Sequence, residues 1–339
     1  MHLLAYNVTV KTRKKFLAAL AAFSLISSMA CPSMLSAASA KLSDTQEVEA
    51  FVDGFFQRPD IRSKLAGAVV VVVKGDQTLL NKGYGYANIE RQTPVDPEKT
   101  LFRLASISKT FTATAVMQLA EQHQVDLDRD ITGYLNGLDI PNPTKDPLTL
   151  KHLMTHTSGF DRTEAAEDEG APGTISTLDA FVRSYVPTVI RKPGEAYRYD
   201  NYAYNLLGYI VQNRTGQSFD QVIADRIFKP LGMTHSYFAL TPDIQEQLAT
   251  PYDGEGQPLP QYATLPNNSP DGGLISTGGD MARFLKAQLN GGKLGQASIL
   301  SEPSLLQMQN QRVHSTGYAG RRVRVRNYLP AVQQRADRD

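Results

Sequence analysis

Phe102-Arg103-Leu104-Ala105-Ser106-Ile107-Ser108-Lys109 runs straight into the apolar stretch 110–122, TFTATAVMQLAEQ. The pattern of that stretch predicts a helix: Phe111, Ala115 and Leu119 recur at i, i+4 and i+8 with Val116 beside them, ahead of polar Gln122, His123 and Gln124. Helical positions i and i+3 share a face, so the Lys109 ammonium is expected beside the Ser106 hydroxyl, and the helix N-terminus aims its unpaired N–H groups at the same oxygen. A serine hydroxyl is inert until a base removes its proton. A lysine can be that base once burial or a neighbouring cation lowers its pKa. With serine and lysine at roughly 6 to 7 per cent each, about one S-x-x-K arises by chance in a chain of this length. The plainer reading, a helix start with a solvated lysine, therefore stands until a second motif is found.

That motif is Tyr199-Asp200-Asn201, within Pro193-Gly194-Glu195-Ala196-Tyr197-Arg198-Tyr199-Asp200-Asn201-Tyr202-Ala203-Tyr204-Asn205-Leu206-Leu207-Gly208. Around the two motifs stand Leu153-Met154-Thr155-His156-Thr157-Ser158-Gly159, Pro230-Leu231-Gly232-Met233 and Gly272-Gly273-Leu274-Ile275-Ser276-Thr277. In this order, from about Gly67 to about Leu305, the chain resembles the serine β-lactamase and penicillin-binding protein superfamily. The likeness is to its class C β-lactamase, D-amino-acid carboxypeptidase and esterase branch. Tyr-x-Asn also occurs at Tyr86-Ala87-Asn88 and Tyr134-Leu135-Asn136, so context selects among the three. Only Tyr199 lies downstream of the nucleophile in a Pro-Gly loop leading into a helix, as the resemblance requires. It implies Ser106 as nucleophile, Lys109 as its activating base, Tyr199 as proton shuttle to the leaving group and Asn201 as holder of the substrate amide. The alternative for the pair is a core tyrosine with a helix-capping asparagine.

The resemblance also implies a third element: a strand similar to Tyr-Gly-x-Gly-Phe, then one carrying Lys-Thr-Gly or His-x-Gly, then a C-terminal helix. His314-Ser315-Thr316-Gly317 lies before the place of that triplet and reads as a loop. Residues 321–339 change composition abruptly, with six arginines and no lysine. Arg322-Val323-Arg324-Val325-Arg326 can be encoded as CGG GTA CGG GTT CGA, which shifted by one base reads Gly-Tyr-Gly-Phe. The expectation is a frameshifted, truncated product: 41–320 an incomplete hydrolase domain, 321–339 a basic tail outside the family.

At 339 residues and 41 per cent hydrophobic content, the chain can bury a substantial core. The net charge of +1 hides an acidic body, because residues 1–40 hold four basic residues and no acid, and the tail sets six arginines against two aspartates. No nucleic-acid partner is expected of that body. Lys11-Thr12-Arg13-Lys14-Lys15, the apolar run 16–30 and Ala38-Ser39-Ala40 form the three parts of a secretory signal, placing the mature N-terminus at Lys41 and the protein outside the cell or in its envelope. The run falls short of the roughly 18 residues of a spanning helix, so no stable membrane insertion is expected after cleavage. An uncleaved anchor, or a lipid on Cys31, is the alternative. Cys31, the sole cysteine, precedes the cleavage site and leaves no disulfide in the mature chain.

Gly67 and the valines 69–73, then Gly75-Asp76 and residues 78–85, predict a strand, a tight turn and a second strand, after a helix near 45–56. Helices and Pro/Gly-rich loops follow, including 219–228, Thr277-x-x-Asp280 capping 281–289, and a helix near 304–309. No internal repeat or linker is present. The fold class implied is α/β (α+β): an antiparallel sheet flanked by helices, with a mostly helical lobe. His152 and His156 have the i, i+4 spacing of metal ligands, but no glutamate follows the first and no third ligand is evident. The expectation is a short helix over 149–156 ending at Gly159, with His156 satisfying backbone at the active-site wall, and neither metal nor cofactor. The function implied is acyl-enzyme hydrolysis of an amide, β-lactam or ester, with a small molecule or peptidoglycan peptide as substrate. The rival is a catalytically impaired remnant or a noncatalytic cell-wall binder.

Overall fold

The computed structural model describes residues 44–162, 177–261, 266–310, 313–316 and 322–325. All lie in one unit, Lys41–Asp339. The expected leader, 1–40, and most of the tail fall outside the described residues.

Helix α1 (Thr45–Gln57) starts where the Asp44 carboxylate accepts the Gln46 N–H at 2.8 Å, a side-chain N-cap. The short helix α2 (Pro59–Arg62) follows. Val48 and Val52 of α1 pack on Leu79 and Leu80 of a hairpin. Its strands β1 (Gly67–Lys74) and β2 (Gln77–Asn88) run antiparallel from Gly67 opposite Gly85 to Lys74 opposite Gln77, with an irregularity between Val72 and Val73. Gly75 opens the two-residue turn at φ 58°, a conformation glycine adopts without a Cβ penalty. Strand β3 (Thr93–Pro94) joins the outer end of β2.

Strand β4 (Phe102–Arg103) pairs antiparallel with β5 (Ile275–Ser276), so residues far apart in sequence meet immediately before Ser106. Helix α3 (Ser108–Glu121) follows and is buried from Ser108 to Leu119 on every face, not along one stripe. Its threonines make this tolerable by returning their hydroxyls to backbone: Thr110 donates to Ile107 O at 2.7 Å, Thr112 to Pro270 O at 2.6 Å and Thr114 to Thr110 O at 2.8 Å. Phe111 stacks on Phe284 with centroids 4.0 Å apart and meets Phe228 edge-on at 5.7 Å.

The helical lobe continues with α4 (Leu150–Met154), α5 (Leu178–Ser184) and α6 (Asn201–Thr215), the last closed by Gly216 in the left-handed region. The stretch 219–228 is not one regular helix: α7 (Phe219–Ile223) passes into a π turn over Ala224–Phe228 that buries Ile227 and Phe228, then into α8 (Lys229–Leu231). After α9 (Pro242–Gln247), helix α10 (Gly278–Leu289) starts where the Thr277 hydroxyl accepts the Asp280 N–H. Glycine is needed at 278 because a Cβ there would lie 2.7 Å from Val69 Cγ2 of β1. The two-residue strands β6 (Lys293–Leu294) and β7 (Ala297–Ser298) form a hairpin before α11 (Glu302–Gln309).

One expectation is corrected here. Residues 313–316 are strand β8 (Val313–Thr316), not loop, and pair antiparallel with β9 (Arg322–Val325), Val313 opposite Val325 and Thr316 opposite Arg322. Val313 and Thr316 in one segment and the alternating Val323 and Val325 in the other favour extended backbone, and each segment finds its partner in the other rather than at an edge of the β1–β2 sheet. The architecture otherwise has the expected class, antiparallel sheets with helices around them and a helical lobe. Among the described residues no helix is long and apolar enough to cross a membrane.

Candidate active site

Ser106 does not begin the α-helix. It is the middle residue of a 3-10 turn, Ala105–Ile107, entered through Ala105 at φ 45°. A non-glycine residue at positive φ carries strain that surrounding contacts must offset. Ser108 supplies two of them: its Oγ donates to Ala105 O at 2.6 Å and accepts the Leu274 N–H at 3.0 Å, stitching the turn to the segment that leads into β5. Ser106 is left exposed while Ser108 is fully buried.

Lys109, on the first turn of α3, is 6 % exposed. Its Nζ donates to Asn201 Oδ1 at 2.7 Å, to the Asp271 carbonyl at 2.7 Å and to Ser106 Oγ at 3.3 Å. The same ammonium lies 5.0 Å from the Tyr199 ring centroid and 5.5 Å from that of Tyr204, within cation–π range. Tyr199 presents its hydroxyl to Ser106 Oγ at 2.6 Å. All four residues singled out from the sequence therefore converge on one point. The other two Tyr-x-Asn triplets do not: Tyr86 sits in β2 opposite Pro94, and the Tyr134 hydroxyl accepts the Asp126 N–H at 2.9 Å.

The base of the site is buried and polar. Asp200, between Tyr199 and Asn201, caps α6 by accepting the Ala203 N–H at 2.8 Å and takes the Ser158 hydroxyl at 2.6 Å. Burial pushes its carboxyl up to about 6 despite those donors. His156 and His152 diverge. His152 Nδ1 accepts the Thr149 N–H in a capping box that opens α4, whereas His156 Nδ1 accepts the Asp200 N–H at 3.0 Å. Among the described residues no group of His, Cys, Asp and Glu is gathered for a metal ion. Sequence reasoning missed the Asp271 carbonyl, since a main-chain acceptor leaves no residue-type signal, and the Ser158–Asp200 pair, whose partners lie on different loops.

Asp200 yields a pH prediction. The unfolded carboxyl ionises near 3.8 and the folded one near 6, so the folded state binds the extra proton between those values. Its stabilising contribution is complete below the lower value and lost as pH rises through the higher. Relative to Asp200→Asn, which does not titrate, the parent is expected to lose about 2 kcal/mol between about pH 4 and pH 7. Urea unfolding at a series of pH values reads this directly, and a pH-independent difference between the two proteins would contradict it.

A family model described as Beta-lactamase matches residues 47–328. The chain belongs to the beta-lactamase family. Among curated relatives, "Protein flp" of Staphylococcus aureus (strain N315) is 29% identical over 252 residues, covering 73% of this chain and 50% of that protein. A D-aminopeptidase of Gluconobacter oxydans (strain 621H) is 34% identical over 192 residues, covering 56% of this chain and 35% of the relative. The chain thus spans half or less of the length of these two relatives. Among solved structures, a beta-lactamase/D-alanine carboxypeptidase from Yersinia pestis, complexed with citrate, superposes with a TM-score of 0.65 at 25% identity over 80% of this chain and 74% of that one.

Proposed function

We propose that this beta-lactamase family chain is a serine hydrolase that works through an acyl-enzyme on Ser106 and takes an amide, β-lactam or ester. The observation that carries the reading is the position of Ser106 Oγ, exposed to solvent yet within hydrogen-bond reach of both Lys109 Nζ and Tyr199 Oη. In the forward step Oγ bonds to the substrate carbonyl carbon and gives up its proton to the Lys109–Tyr199 pair. The bond to the leaving nitrogen or oxygen then breaks as Tyr199 Oη protonates that atom, and water later releases the acyl group. The Ser106 N–H is our candidate for one oxyanion donor. Asn201, whose Oδ1 accepts from Lys109 Nζ, is our candidate to hold the substrate amide. The chemistry of the D-aminopeptidase and D-alanine carboxypeptidase relatives favours short peptides carrying D-amino acids.

The test is a pre-steady-state burst with a nitrophenyl ester, followed by turnover on a panel of D-amino amides, D-alanyl-D-alanine peptides and β-lactams. A burst stoichiometric with protein is expected. Lys109→Ala is expected to slow acylation by about 10²- to 10⁴-fold, and Tyr199→Phe to lower turnover with little change in substrate binding. Absence of a burst and of turnover across the panel would favour a noncatalytic wall binder. We also propose that residues 1–40 are an export leader. Sequencing the secreted protein should give Lys41 first, and a mature form that keeps Cys31 with a lipid attached would overturn that assignment.

A further inference from the structure

His156 touches the site at three places. Its carbonyl oxygen accepts the Arg198 N–H at 2.8 Å, its ring Nδ1 accepts the Asp200 N–H at 3.0 Å, and its ring lies under the Tyr199 phenol with centroids 4.5 Å apart and planes 30° from parallel. The residue before Tyr199, the residue after it and the side chain of Tyr199 itself are thus held by one histidine. Its left-handed backbone, φ 58°, belongs to the turn that leads from α4 into the Thr157–Gly159 loop. The ring is in turn held from two more sides, by Tyr204 with centroids 5.1 Å apart and by Tyr197 edge-on at 5.8 Å.

We propose that His156 is the positioning residue of Tyr199, a neutral imidazole platform that fixes the phenol hydroxyl at Ser106 Oγ and is not itself a proton carrier. The proposal rests on the serine hydrolase reading above and extends it to a residue outside the Ser106–Lys109–Tyr199 set. Because Nδ1 accepts a backbone N–H, a neutral ring carries its hydrogen on Nε2. The charged and titratable groups facing the ring are the Lys109 ammonium, the Tyr197, Tyr199 and Tyr204 phenols and, through the backbone it binds, Asp200. Burial, reinforced by the Lys109 charge, pulls the imidazole down to about 3, which removes it from general acid–base work near neutral pH. A stacked ring of this kind restricts the tilt of the phenol of Tyr199, a residue 40 % exposed.

Two variants divide the clamp: His156→Phe keeps a flat ring and loses the acceptor, whereas His156→Gln keeps an acceptor and loses the platform. Proton delivery by Tyr199 matters for an alkyl ester or amide, which leaves as a strong base, and little for a nitrophenyl ester, whose leaving group needs no proton. Both variants are expected to lower kcat on the alkyl ester by about 10²-fold with KM within about twofold, and to retain most activity on the nitrophenyl ester. In a Tyr199→Phe background they should add no further loss. Equal losses on both esters, or losses that multiply with Tyr199→Phe, would reduce His156 to ordinary structural support. Parent protein with neither a burst nor turnover on any ester, amide or lactam would instead sink the hydrolase reading, and this proposal with it. A readout independent of activity is long-range ¹H–¹⁵N NMR of the imidazole, assigned by its disappearance in His156→Gln. An Nε2–H tautomer that does not titrate between pH 5 and 8 is expected, and a ring protonating near pH 6.5 would overturn the platform even in an active enzyme.

Discussion

Ser106→Ala is expected to eliminate the burst and to lower turnover by about 10⁶-fold, the scale on which serine hydrolases with a cooperating base lose rate when the nucleophile alone is removed. The magnitude follows from the geometry. Lys109 and Tyr199 both aim at the Ser106 oxygen, so once that oxygen is gone neither has a proton to move. The fold should not register the change. Ser106 is exposed, and the turn that presents it is tied down by the neighbouring Ser108, whose hydroxyl makes both of its bonds inside the protein. An Ser106→Ala protein with an unchanged unfolding midpoint and undiminished ester turnover would move the chemistry elsewhere.

Phe111→Ala carries the largest stability effect expected in the helical lobe. The ring is completely buried on α3, stacked on Phe284 and in edge contact with Phe228, which is itself stacked against Phe238. Removing it leaves a cavity that an all-round packed helix cannot collapse to fill, for a loss of about 3 to 5 kcal/mol. Lys109 sits two residues earlier on the same helix, so activity should fall along with stability. Urea unfolding measures the loss, and a change below about 1 kcal/mol would mean that α3 is packed far more loosely than its burial indicates.

What the sequence made legible follows from how local each signal was. The i, i+3 relation of Ser106 and Lys109 needs only one helical turn, so it survived even though the first half of that turn is 3-10. The Gly75-Asp76 turn and the Thr277 cap are likewise decided within a few residues. Tyr199 was chosen over Tyr86 and Tyr134 by its loop context, and it is the one of the three that reaches Ser106. The periodicity of α3 gave its place in the chain and its rough length but not its full burial, because alternating Thr and Ala mask an apolar environment that closes over every face. The π turn at Ala224–Phe228 left no pattern distinct from that of a regular helix, and His314-Ser315-Thr316-Gly317 was read as loop from its place ahead of the implied third motif, a position that says nothing of the pairing of Val313–Thr316 with Arg322–Val325. Least legible was the support beneath the site. The Asp271 carbonyl acts through backbone, and although His156 was expected to satisfy backbone at the active-site wall, as its bond to the Asp200 N–H shows, its stacking under Tyr199 is a matter of shape that residue identity does not announce.

The most direct test is to incubate the protein with a fluorophosphonate and with a labelled penicillin, digest it and locate the adduct by tandem mass spectrometry. One adduct is expected, on the Ser106 hydroxyl, formed by the parent and absent from Ser106→Ala. A label on any other residue, or one that persists in the alanine variant, would contradict the assignment of Ser106 as nucleophile.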